Sequence, residues 1–485
     1  IIPLIQTKLQ YESSISSSRV TVEHALIMKV LTIILVILCH NQYVSCDPVF
    51  EFMVAALTEV ASSLTNSLKV LKNKIINLFT SDTKDKPNAE EKDKKKSLSE
   101  LVEKIPAKNE MQKSEPSTPL TTPQLVTKHG RRAQAHIVLT KDGYLLTIHR
   151  ILPSLEARNN SNNTHRTVIL HHGLLGSSAD WVLLGPNKSL PYILSDAGYD
   201  VWMANARGNC YSRSHFTLKV NSTEFWRFSW QEIGEYDLPA TIDYIRRLKN
   251  SNKTIDFIGH SMGCTALLVL LSTKPHYNQY LRLGILLAPL AFMTNVNGPL
   301  KFLATVASNP PMEIMDVIGT DEFVPSKKIP DVLRENYCHD SKTFCTNPLF
   351  FITGGMPENG TWGAGFIERL LNQVPAGGST NTILHYAKIA SNNKFHKIDK
   401  ALSEFPLSKI TLPLALLSSG GDWLATIPDV LRLYFSIGRP IDNYIVRDRN
   451  LSHTEFVWGA DADELVFAKV MYYLENVMSC SSSVL

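Results

Sequence analysis

From about Leu125 onward, short apolar runs alternate with segments in which apolar residues recur every three or four positions. The short runs have the length of buried strands, and the longer periods are typical of amphipathic helices. This alternation predicts an α/β fold in which helices cover a mostly parallel central sheet. The predicted strands are Thr167 to His171, Asp200 to Ala204, Thr254 to Ile258, Gly284 to Leu287, Leu412 to Leu417 and Tyr444 to Arg447. The predicted helices include Asp237 to Leu248, Thr265 to Ser272 and Ala462 to Leu474.

The alternation of strands and helices is interrupted between about residues 293 and 400. This stretch holds Pro310-Pro311, several glycines and amphipathic pieces such as Pro299 to Ala307. It comes before the last predicted strands, and its helical pieces are apolar on one face. We therefore expect an inserted, mainly helical cap that covers the functional site.

The start of the chain follows a different pattern. Met28 begins a segment with one lysine, an apolar run from Val30 to Cys39 and a polar end near Cys46. These three parts are typical of a secretory signal peptide, which predicts residues 28–46 as the signal and 1–27 as upstream sequence without structural meaning. The apolar run of about ten residues is too short to span a hydrocarbon layer of roughly 30 Å, so no transmembrane anchor is expected.

Residues 47–124 form a predicted N-terminal extension. From Phe50 to Phe79 apolar residues recur in steps of three and four, which predicts an amphipathic helix. This helix could be a pro-segment, contact lipid, bind a partner or pack on the protein's own body. Residues 81–123 are rich in Lys, Glu, Ser, Thr and Pro and cannot bury enough apolar surface to fold, so they are predicted to be a disordered linker.

The composition narrows the classes of partner. The chain has 485 residues, of which 44% are hydrophobic and 19% charged, with a formal net charge of +4. Its densest lysine cluster, around Lys94, is interleaved with Glu90, Glu91 and Asp93, so it is not a basic stripe. We therefore expect no nucleic-acid partner.

The cysteines and glycosylation motifs agree with a secretory route. Cys338 and Cys345 form the expected disulfide, because an oxidising compartment would let them close a short loop. Their surroundings lack the second Cys or His cluster that a zinc site needs, so no metal is expected. Candidate glycosylation sites of the form Asn-x-Ser/Thr are Asn159, Asn162, Asn187, Asn221, Asn252, Asn359 and Asn450. The expected location is extracellular or lysosomal.

A candidate nucleophile follows the predicted strand at Thr254 to Ile258. The strand runs into Gly259-His260-Ser261-Met262-Gly263, and an apolar helical run begins at once. This is G-x-S-x-G in the strand, turn and helix context of a nucleophile elbow. The sharp turn strains the backbone of the serine, and the two glycines let strand and helix approach closely. The pentapeptide alone is a weak signal, and its flanking pattern makes it specific.

A serine hydroxyl needs an imidazole as general base and a carboxylate that orients it. Asp422 follows the apolar run Leu412 to Leu417, in the position where catalytic groups gather in an open α/β sheet. His453 follows the next predicted strand and precedes the last helix. Taken singly, Asp422 is better explained as a loop carboxylate that caps a helix and His453 as a surface loop histidine. Their order after Ser261 favours the assignment of Asp422 as orienting acid and His453 as base.

Acyl transfer also needs donors for the oxyanion, normally the backbone N–H after the nucleophile and one from the loop after an early strand. Met262 supplies the first donor. Leu174, in the glycine-bearing loop that follows the strand ending at His171, is the candidate for the second. His172 lies far ahead of the nucleophile at a strand end, which favours a structural role in that loop over a catalytic one.

At these residues the chain closely resembles the acid lipase family, which includes gastric and lysosomal acid lipases and insect relatives. The resemblance covers about residues 125–485 and implies the α/β-hydrolase fold, a lipase acting on triacylglycerols or sterol esters at a lipid–water interface, and no cofactor. It also implies catalytic roles for Ser261, Asp422 and His453, and oxyanion donors at Leu174 and Met262. The matching runs include TKDGYLLTIHRI from Thr140, HHGLLGSSADW from His171, LSDAGYDVWMANARGNCYSRSH from Leu194, EFWRFSWQEIGEYDLPATIDYI from Glu224, VPAGGSTNTILHYAKI from Val374, GGDWLATIPDV from Gly420 and HTEFVWG from His453.

Two alternatives to a lipase stay open at the level of sequence. One is a soluble carboxylesterase that acts on small esters, which activity at an emulsion surface would distinguish from a lipase. The other is a catalytically silent lipid-carrying protein on the same scaffold, which reaction with a fluorophosphonate probe would distinguish from an enzyme. The chain also departs from the family pattern, with Met262 where relatives often have Gln and HTEF where they have HLDF.

Overall fold

A computed structural model describes residues 119–154, 166–250, 254–306, 319–323, 364–399, 401–446 and 451–476. The predicted signal peptide, the N-terminal extension up to residue 118 and the Cys338 and Cys345 pair lie outside these ranges. The candidate glycosylation sites Asn159, Asn162, Asn252, Asn359 and Asn450 also lie outside them. Asn187 and Asn221 are described, and both side chains are exposed.

The described residues form a central sheet of eight strands with the order β1-β2-β4-β3-β5-β6-β7-β8. The pairs β1–β2 and β2–β4 are antiparallel, and all the other neighbours are parallel. The prediction of an α/β fold with a mostly parallel sheet is therefore confirmed. The strands are β1 (Ala133–Leu139), β2 (Leu145–Ile151), β3 (Thr167–His171), β4 (Asp200–Met203), β5 (Ile255–His260), β6 (Leu281–Leu287), β7 (Leu414–Ser419) and β8 (Pro440–Val446).

Helices follow most of the parallel strands, as the connections of a parallel sheet require. The helices are α1 (Thr122–Lys128), α2 (Leu190–Asp196), α3 (Leu238–Leu248), α4 (Met262–Thr273), α5 (Gly298–Val306), α6 (Ala364–Leu371), α7 (Thr380–Asn392), α8 (Ile427–Ser436), α9 (Glu455–Trp458) and α10 (Ala468–Asn476). A short turn at Trp230–Glu232 and a π-helical segment at Ile233–Asp237 lead into α3, and a second π-helical segment at Asp463–Phe467 leads into α10. Single 3-10 turns lie at Ser178–Trp181, Thr223–Trp226, Pro275–Gln279 and Leu407–Lys409.

The core lies against the middle of the sheet. Strands β3, β5 and β7 are buried along their whole length, and α4 is buried from Met262 to Ser272. A helix that is apolar on all sides can be stable only inside the protein, so α4 is fixed against the sheet. The nucleophile elbow at its start therefore rests on the most buried part of the molecule.

Three described helices, α5, α6 and α7, fall within the predicted cap at 293–400. The predicted amphipathic piece Pro299 to Ala307 corresponds to α5. The limits of the cap stay a prediction, because residues 307–318 and 324–363 are outside the described ranges. Among the described helices, none is both long enough and apolar enough to cross a bilayer.

Candidate active site

The turn between β5 and α4 holds Ser261 in an unusual backbone conformation, with φ of 53° and ψ of −114°. A positive φ is rare for a residue with a side chain and is found mainly where function requires it. The neighbouring glycines explain how the turn fits. A Cβ atom on Gly259 would lie 2.8 Å from the Cys264 nitrogen, and one on Gly263 would lie 2.4 Å from the His171 oxygen. A larger residue at Gly259 would collide with the start of α4, and one at Gly263 would collide with the end of β3.

Ser261, His453 and Asp422 form a continuous chain of hydrogen bonds. The Oγ of Ser261 lies 2.7 Å from Nε2 of His453, and Nδ1 of His453 lies 2.8 Å and 3.0 Å from the two carboxylate oxygens of Asp422. Each residue is at most 3% exposed. Since the carboxylate can only accept, the Nδ1–H donates to it and Nε2 is left to accept from the serine hydroxyl. The structure thus brings together the three side chains selected from the sequence.

The loops after β7 and β8 fix the acid and the imidazole. One oxygen of Asp422 accepts hydrogen bonds from the backbone nitrogens of Leu424 at 2.8 Å and Ala425 at 2.9 Å. After β8, the carboxyl group of Glu455 accepts from the Ser452 nitrogen at 2.8 Å, which ties down the turn that carries His453. Glu455 was not singled out from the sequence, because only the fold shows that its side chain turns back to this loop.

His260, the residue before the nucleophile, forms a hydrogen bond with the backbone of His453. Its Nε2 lies 2.9 Å from the backbone oxygen of His453, so the Nε2–H donates to that carbonyl. Burial, together with the nearby His453, lowers the pKa of His260 to about 3, so the ring is neutral at the pH values where proteins work. The sequence places His260 inside the G-x-S-x-G motif but gives no sign of this contact.

The loop predicted to hold the second oxyanion donor is kept in place by His172. The Ala206 nitrogen donates to Nε2 of His172 at 3.0 Å, so its Nδ1–H must donate to the Gly173 carbonyl at 2.7 Å. Because the C=O and N–H of a trans peptide point in opposite directions, this contact turns the Leu174 N–H away from His172. No described residue accepts a hydrogen bond from Leu174 N–H or from Met262 N–H. Neither N–H group is therefore used by another described residue, and the roles of Leu174 and Met262 as oxyanion donors stay a prediction.

Burial lowers the pKa of His172 to about 3, helped by the neighbouring His171. A neutral ring that donates with one nitrogen and accepts with the other suits a fixed structural contact. These contacts agree with the structural role predicted for His172. Within the described residues, no cluster of His, Cys, Asp or Glu could hold a metal ion.

A buried ion pair network supports the loop that carries Ala206. Arg207 is 2% exposed and contacts both Asp237, at 2.6 Å, and Asp142, at 2.5 Å. Burial raises the pKa of Asp237 to about 6 although Arg207 opposes this change. The sequence offered no signal for this network, since the three residues are far apart along the chain.

A pocket opens directly above the nucleophile. It is mainly apolar, and its polar members are the catalytic candidates and a few neighbours. Its lining consists of Gly173, Leu174, Asp180, His260, Ser261, Leu290, Leu300, Ile383, Tyr386, Leu424, His453, Thr454, Val457 and Trp458. Leu300 comes from α5 and Ile383 and Tyr386 from α7, so helices of the predicted cap region contribute walls to the pocket.

The chain has the architecture of an α/β-hydrolase. This class is defined by the order of the sheet, by the strained serine after β5, and by the acid and the histidine that follow later strands. The family models agree. The model for the alpha/beta hydrolase fold matches residues 166–440, and the one for the partial alpha/beta-hydrolase lipase region matches residues 122–185.

Characterised relatives narrow the class further. Lipase 3 of Drosophila melanogaster is 36% identical over 362 residues, which cover 72% of this chain and 91% of the relative. Gastric triacylglycerol lipase of Rattus norvegicus is 32% identical, and the match covers 73% of this chain and 92% of that lipase. Lysosomal acid lipase/cholesteryl ester hydrolase of Homo sapiens is 30% identical, and the match covers 74% of this chain and 91% of that enzyme. The chain therefore belongs to the acid lipase family of α/β-hydrolases, and it is a carboxylic ester hydrolase.

Proposed function

We propose that this protein hydrolyses neutral lipid esters, triacylglycerols or sterol esters, through an acyl-enzyme formed on Ser261. The observation that carries this proposal is the hydrogen-bond chain from Ser261 through His453 to Asp422 at the floor of a mainly apolar pocket. An alcohol, an imidazole and a carboxylate in this arrangement make a buried serine nucleophilic.

The reaction would proceed in two halves. Ser261 Oγ attacks the ester carbonyl carbon while its proton passes to Nε2 of His453, and Asp422 stabilises the resulting imidazolium. The backbone N–H groups of Leu174 and Met262 bind the oxyanion of the tetrahedral intermediate. As the intermediate collapses, the alcohol leaves with the proton from His453, and the acyl group stays on Ser261. Water then attacks the acyl-enzyme in the same way and releases the fatty acid.

Two observations support a lipid substrate. The pocket walls above the nucleophile include Leu174, Leu290, Leu300, Ile383 and Leu424, which offer a long acyl chain an apolar surface. Burying a CH₂ group on such a surface is worth about 0.8 kcal/mol. The named relatives include a gastric triacylglycerol lipase and a lysosomal acid lipase/cholesteryl ester hydrolase.

We also propose that the protein enters the secretory pathway and acts outside the cell or in the lysosome. The predicted signal at residues 28–46 and the candidate glycosylation sites support this location, and Asn187 and Asn221 are exposed, as glycan attachment requires. Treatment of the secreted protein with an endoglycosidase should lower its apparent mass. Loss of that shift in a variant with both asparagines changed to Gln would assign the glycans to these two sites.

The test of the catalytic assignment is Ser261→Ala in protein secreted from Met28. Ester turnover should fall by at least about a thousandfold, because the nucleophile is lost while the pocket is kept. Circular dichroism and the thermal midpoint of the variant serve as controls for folding. Turnover of the variant at a rate close to that of the unchanged protein would contradict the assignment of Ser261.

A substrate panel tests the class of ester. Triacylglycerol, cholesteryl ester and short dissolved esters would be compared above and below the solubility limit of each ester. Turnover of the long-chain esters that rises at the emulsion surface supports the lipase. Equal turnover of short esters with none of trioleoylglycerol would identify a carboxylesterase, and failure to react with a fluorophosphonate probe would identify a silent carrier.

A further inference from the structure

The turn that carries His453 is held on both sides of that residue. The Glu455 nitrogen donates to the backbone oxygen of Ser452 at 3.1 Å, which fixes the peptide unit before His453. Nε2–H of His260 donates to the backbone oxygen of His453 at 2.9 Å, which fixes the peptide unit after it. The carboxyl group of Glu455 also accepts from the Ser452 nitrogen at 2.8 Å and closes the turn. Because peptide units are planar, holding the two that flank a residue leaves its φ and ψ angles little freedom.

The direction of the His453 side chain follows from that backbone. Its imidazole makes two bonds at once, from Nδ1–H to Asp422 at 2.8 Å and from the Ser261 hydroxyl to Nε2 at 2.7 Å. The ring is rigid, so a change in the direction of the Cα–Cβ bond weakens at least one of the two contacts. Misplacing a reacting group by about 1 Å can slow a reaction by about a hundredfold. A contact that sets this direction therefore affects the rate of the chemical step.

His260 is itself held firmly beside the nucleophile. It is 8% exposed and directly precedes Ser261 in the elbow. A Cβ atom on Gly173 would lie 3.0 Å from Nδ1 of His260 and 3.1 Å from Cβ of Ser261, so the imidazole fills the space between the elbow and the predicted oxyanion loop. Burial and the nearby His453 lower the pKa of His260 to about 3, so the neutral ring keeps its single proton on Nε2. The bond to His453 thus joins the backbone of the base to the elbow.

Glu455 supports the same turn from the start of α9. Its side chain is 4% exposed and turns back to the Ser452 nitrogen. A buried carboxyl group is costly unless it is hydrogen-bonded, and the Ser452 nitrogen supplies a donor. The acid lipase pattern HLDF has Asp at this position, whereas this chain has Glu in HTEF. Glu455 does not belong to the lining of the described pocket, so its contact with the turn is independent of a bound ester.

We propose that His260 and Glu455 are positioning residues for the general base, which act through the backbone of the turn that carries His453 and so set the rate of acyl transfer. This inference rests on the proposed ester hydrolysis and extends it from the three catalytic side chains to two groups that hold one of them. It predicts a loss of kcat with little change in KM, since both contacts are made without an ester.

The first test exchanges two amides at position 260. The side-chain nitrogen of Gln reaches about as far as Nε2 of a histidine, whereas that of Asn reaches only as far as Nδ1. His260→Gln therefore keeps a donor for the His453 oxygen, and His260→Asn does not. With p-nitrophenyl butyrate at pH 7, His260→Asn should lower kcat by about tenfold and change KM by less than about threefold. His260→Gln should keep kcat within about threefold of the unchanged protein. The two amides alter the pocket in a similar way, so their difference reports the bond to His453.

The second test removes the acceptor at position 455. Glu455→Leu loses the contact with the Ser452 nitrogen and should lower kcat by about tenfold, whereas Glu455→Gln keeps an acceptor oxygen and should stay within about threefold. His385→Leu is the matched control. His385 is also buried, and its Nε2–H donates to the backbone oxygen of His396 at 3.0 Å, but it does not line the pocket. This control should lower the thermal midpoint and leave kcat within about twofold.

A double-mutant cycle shows whether the two residues act on the same turn. Once one change has loosened the turn, the other contact has less left to hold, so the two effects are not independent. His260→Asn combined with Glu455→Leu should lower kcat by about 10- to 30-fold, well short of the roughly hundredfold loss that independent effects would give. His260→Asn combined with His385→Leu should match the product of its single changes. A general loss of stability would not produce this difference.

The outcomes separate this inference from the proposed function. The positioning role is wrong if His260→Asn keeps kcat, if His260→Gln loses as much as His260→Asn, or if the changes at 260 and 455 multiply. If Glu455→Leu does not fold, the comparison of Asn and Gln at position 260 decides alone. When Ser261→Ala is inactive but the positioning variants keep kcat, the hydrolase stands without this inference. If the unchanged protein hydrolyses none of the esters, the proposed function and the inference both fail.

Discussion

Five buried histidines make the stability of this protein depend on pH. They are His149, His171, His172, His260 and His385, and none is more than 8% exposed. Burial lowers the pKa of His149 and His171 to about 4 and that of the other three to about 3. All five rings are therefore neutral in the folded protein near neutral pH, and they stay neutral well into the acid range.

The direction of the effect follows from the unfolded state, where histidine has a pKa of about 6.5. Each histidine with a depressed pKa contributes stability above pH 6.5. That stability is lost as the pH falls toward the pKa of the folded protein, because the unfolded chain then binds protons that the folded chain cannot. Between pH 7.5 and 5.5 the loss is between about 1 and 2 kcal/mol for each histidine, or about 7 kcal/mol for five.

Buried carboxyl groups act in the opposite direction. The pKa of Asp180 is raised to about 7 and that of Asp237 to about 6, both by burial. A carboxyl group with a raised pKa binds its proton at a higher pH in the folded protein than in the unfolded chain. As the pH falls from 7.5 to 5.5, these two groups therefore add about 3 kcal/mol to the free energy of unfolding. Burial also raises the pKa values of Asp256 and Glu235, which reduces the net loss further. We expect the free energy of unfolding to fall by up to about 4 kcal/mol.

Thermal unfolding at the two pH values checks this expectation. For a folded region the size of the described part of the chain, about 290 residues, a loss of about 4 kcal/mol lowers the thermal midpoint by about 7 °C. His385→Gln removes one of the five titrating groups and should make the shift smaller by about 2 °C, while the exposed His276→Gln should leave it unchanged. A midpoint at pH 5.5 equal to or above that at pH 7.5 would refute the reasoning.

Three further changes test the site. Gly263→Ala places a Cβ atom 2.4 Å from the His171 oxygen, so it should destabilise the fold by about 2 kcal/mol in thermal melting and reduce the rate of ester turnover. The control is Gly378→Ala, where the nearest atom is 3.6 Å away, and it should change neither the stability nor the rate. Asp422→Asn should lower kcat by about 10³- to 10⁴-fold with the circular dichroism spectrum unchanged, and a loss below tenfold would argue against its orienting role. His172→Ala should lower kcat by about tenfold or more with little change in KM, since it acts on the oxyanion loop, and a change confined to KM would contradict that role.

The sequence predicted the parallel part of the sheet well because buried parallel strands are continuous apolar runs. The six predicted strands correspond to β3 to β8. The antiparallel strands β1 and β2 were not predicted from the apolar pattern, since β1 lies at the sheet edge and most of its side chains are at least partly exposed. Strand β6 begins at Leu281, three residues before the prediction, because Arg282 interrupts the apolar run. The fold accommodates Arg282 by pairing it with Asp256 on β5 at 2.8 Å.

The same reasoning explains which site residues could be found before the structure. Ser261, Asp422 and His453 each follow a predicted strand, and the parallel sheet brings the ends of β5, β7 and β8 to one edge. Glu455 and His260 follow no such rule, because the order of the strands does not single them out. What distinguishes them is a contact with the backbone around His453, the Ser452 nitrogen for Glu455 and the His453 oxygen for His260, and such a contact can be recognised only when the surrounding packing is known. The chemistry of bond cleavage is thus encoded in the order of strands and loops, whereas the orientation of the catalytic groups depends on contacts that only the packed fold brings together.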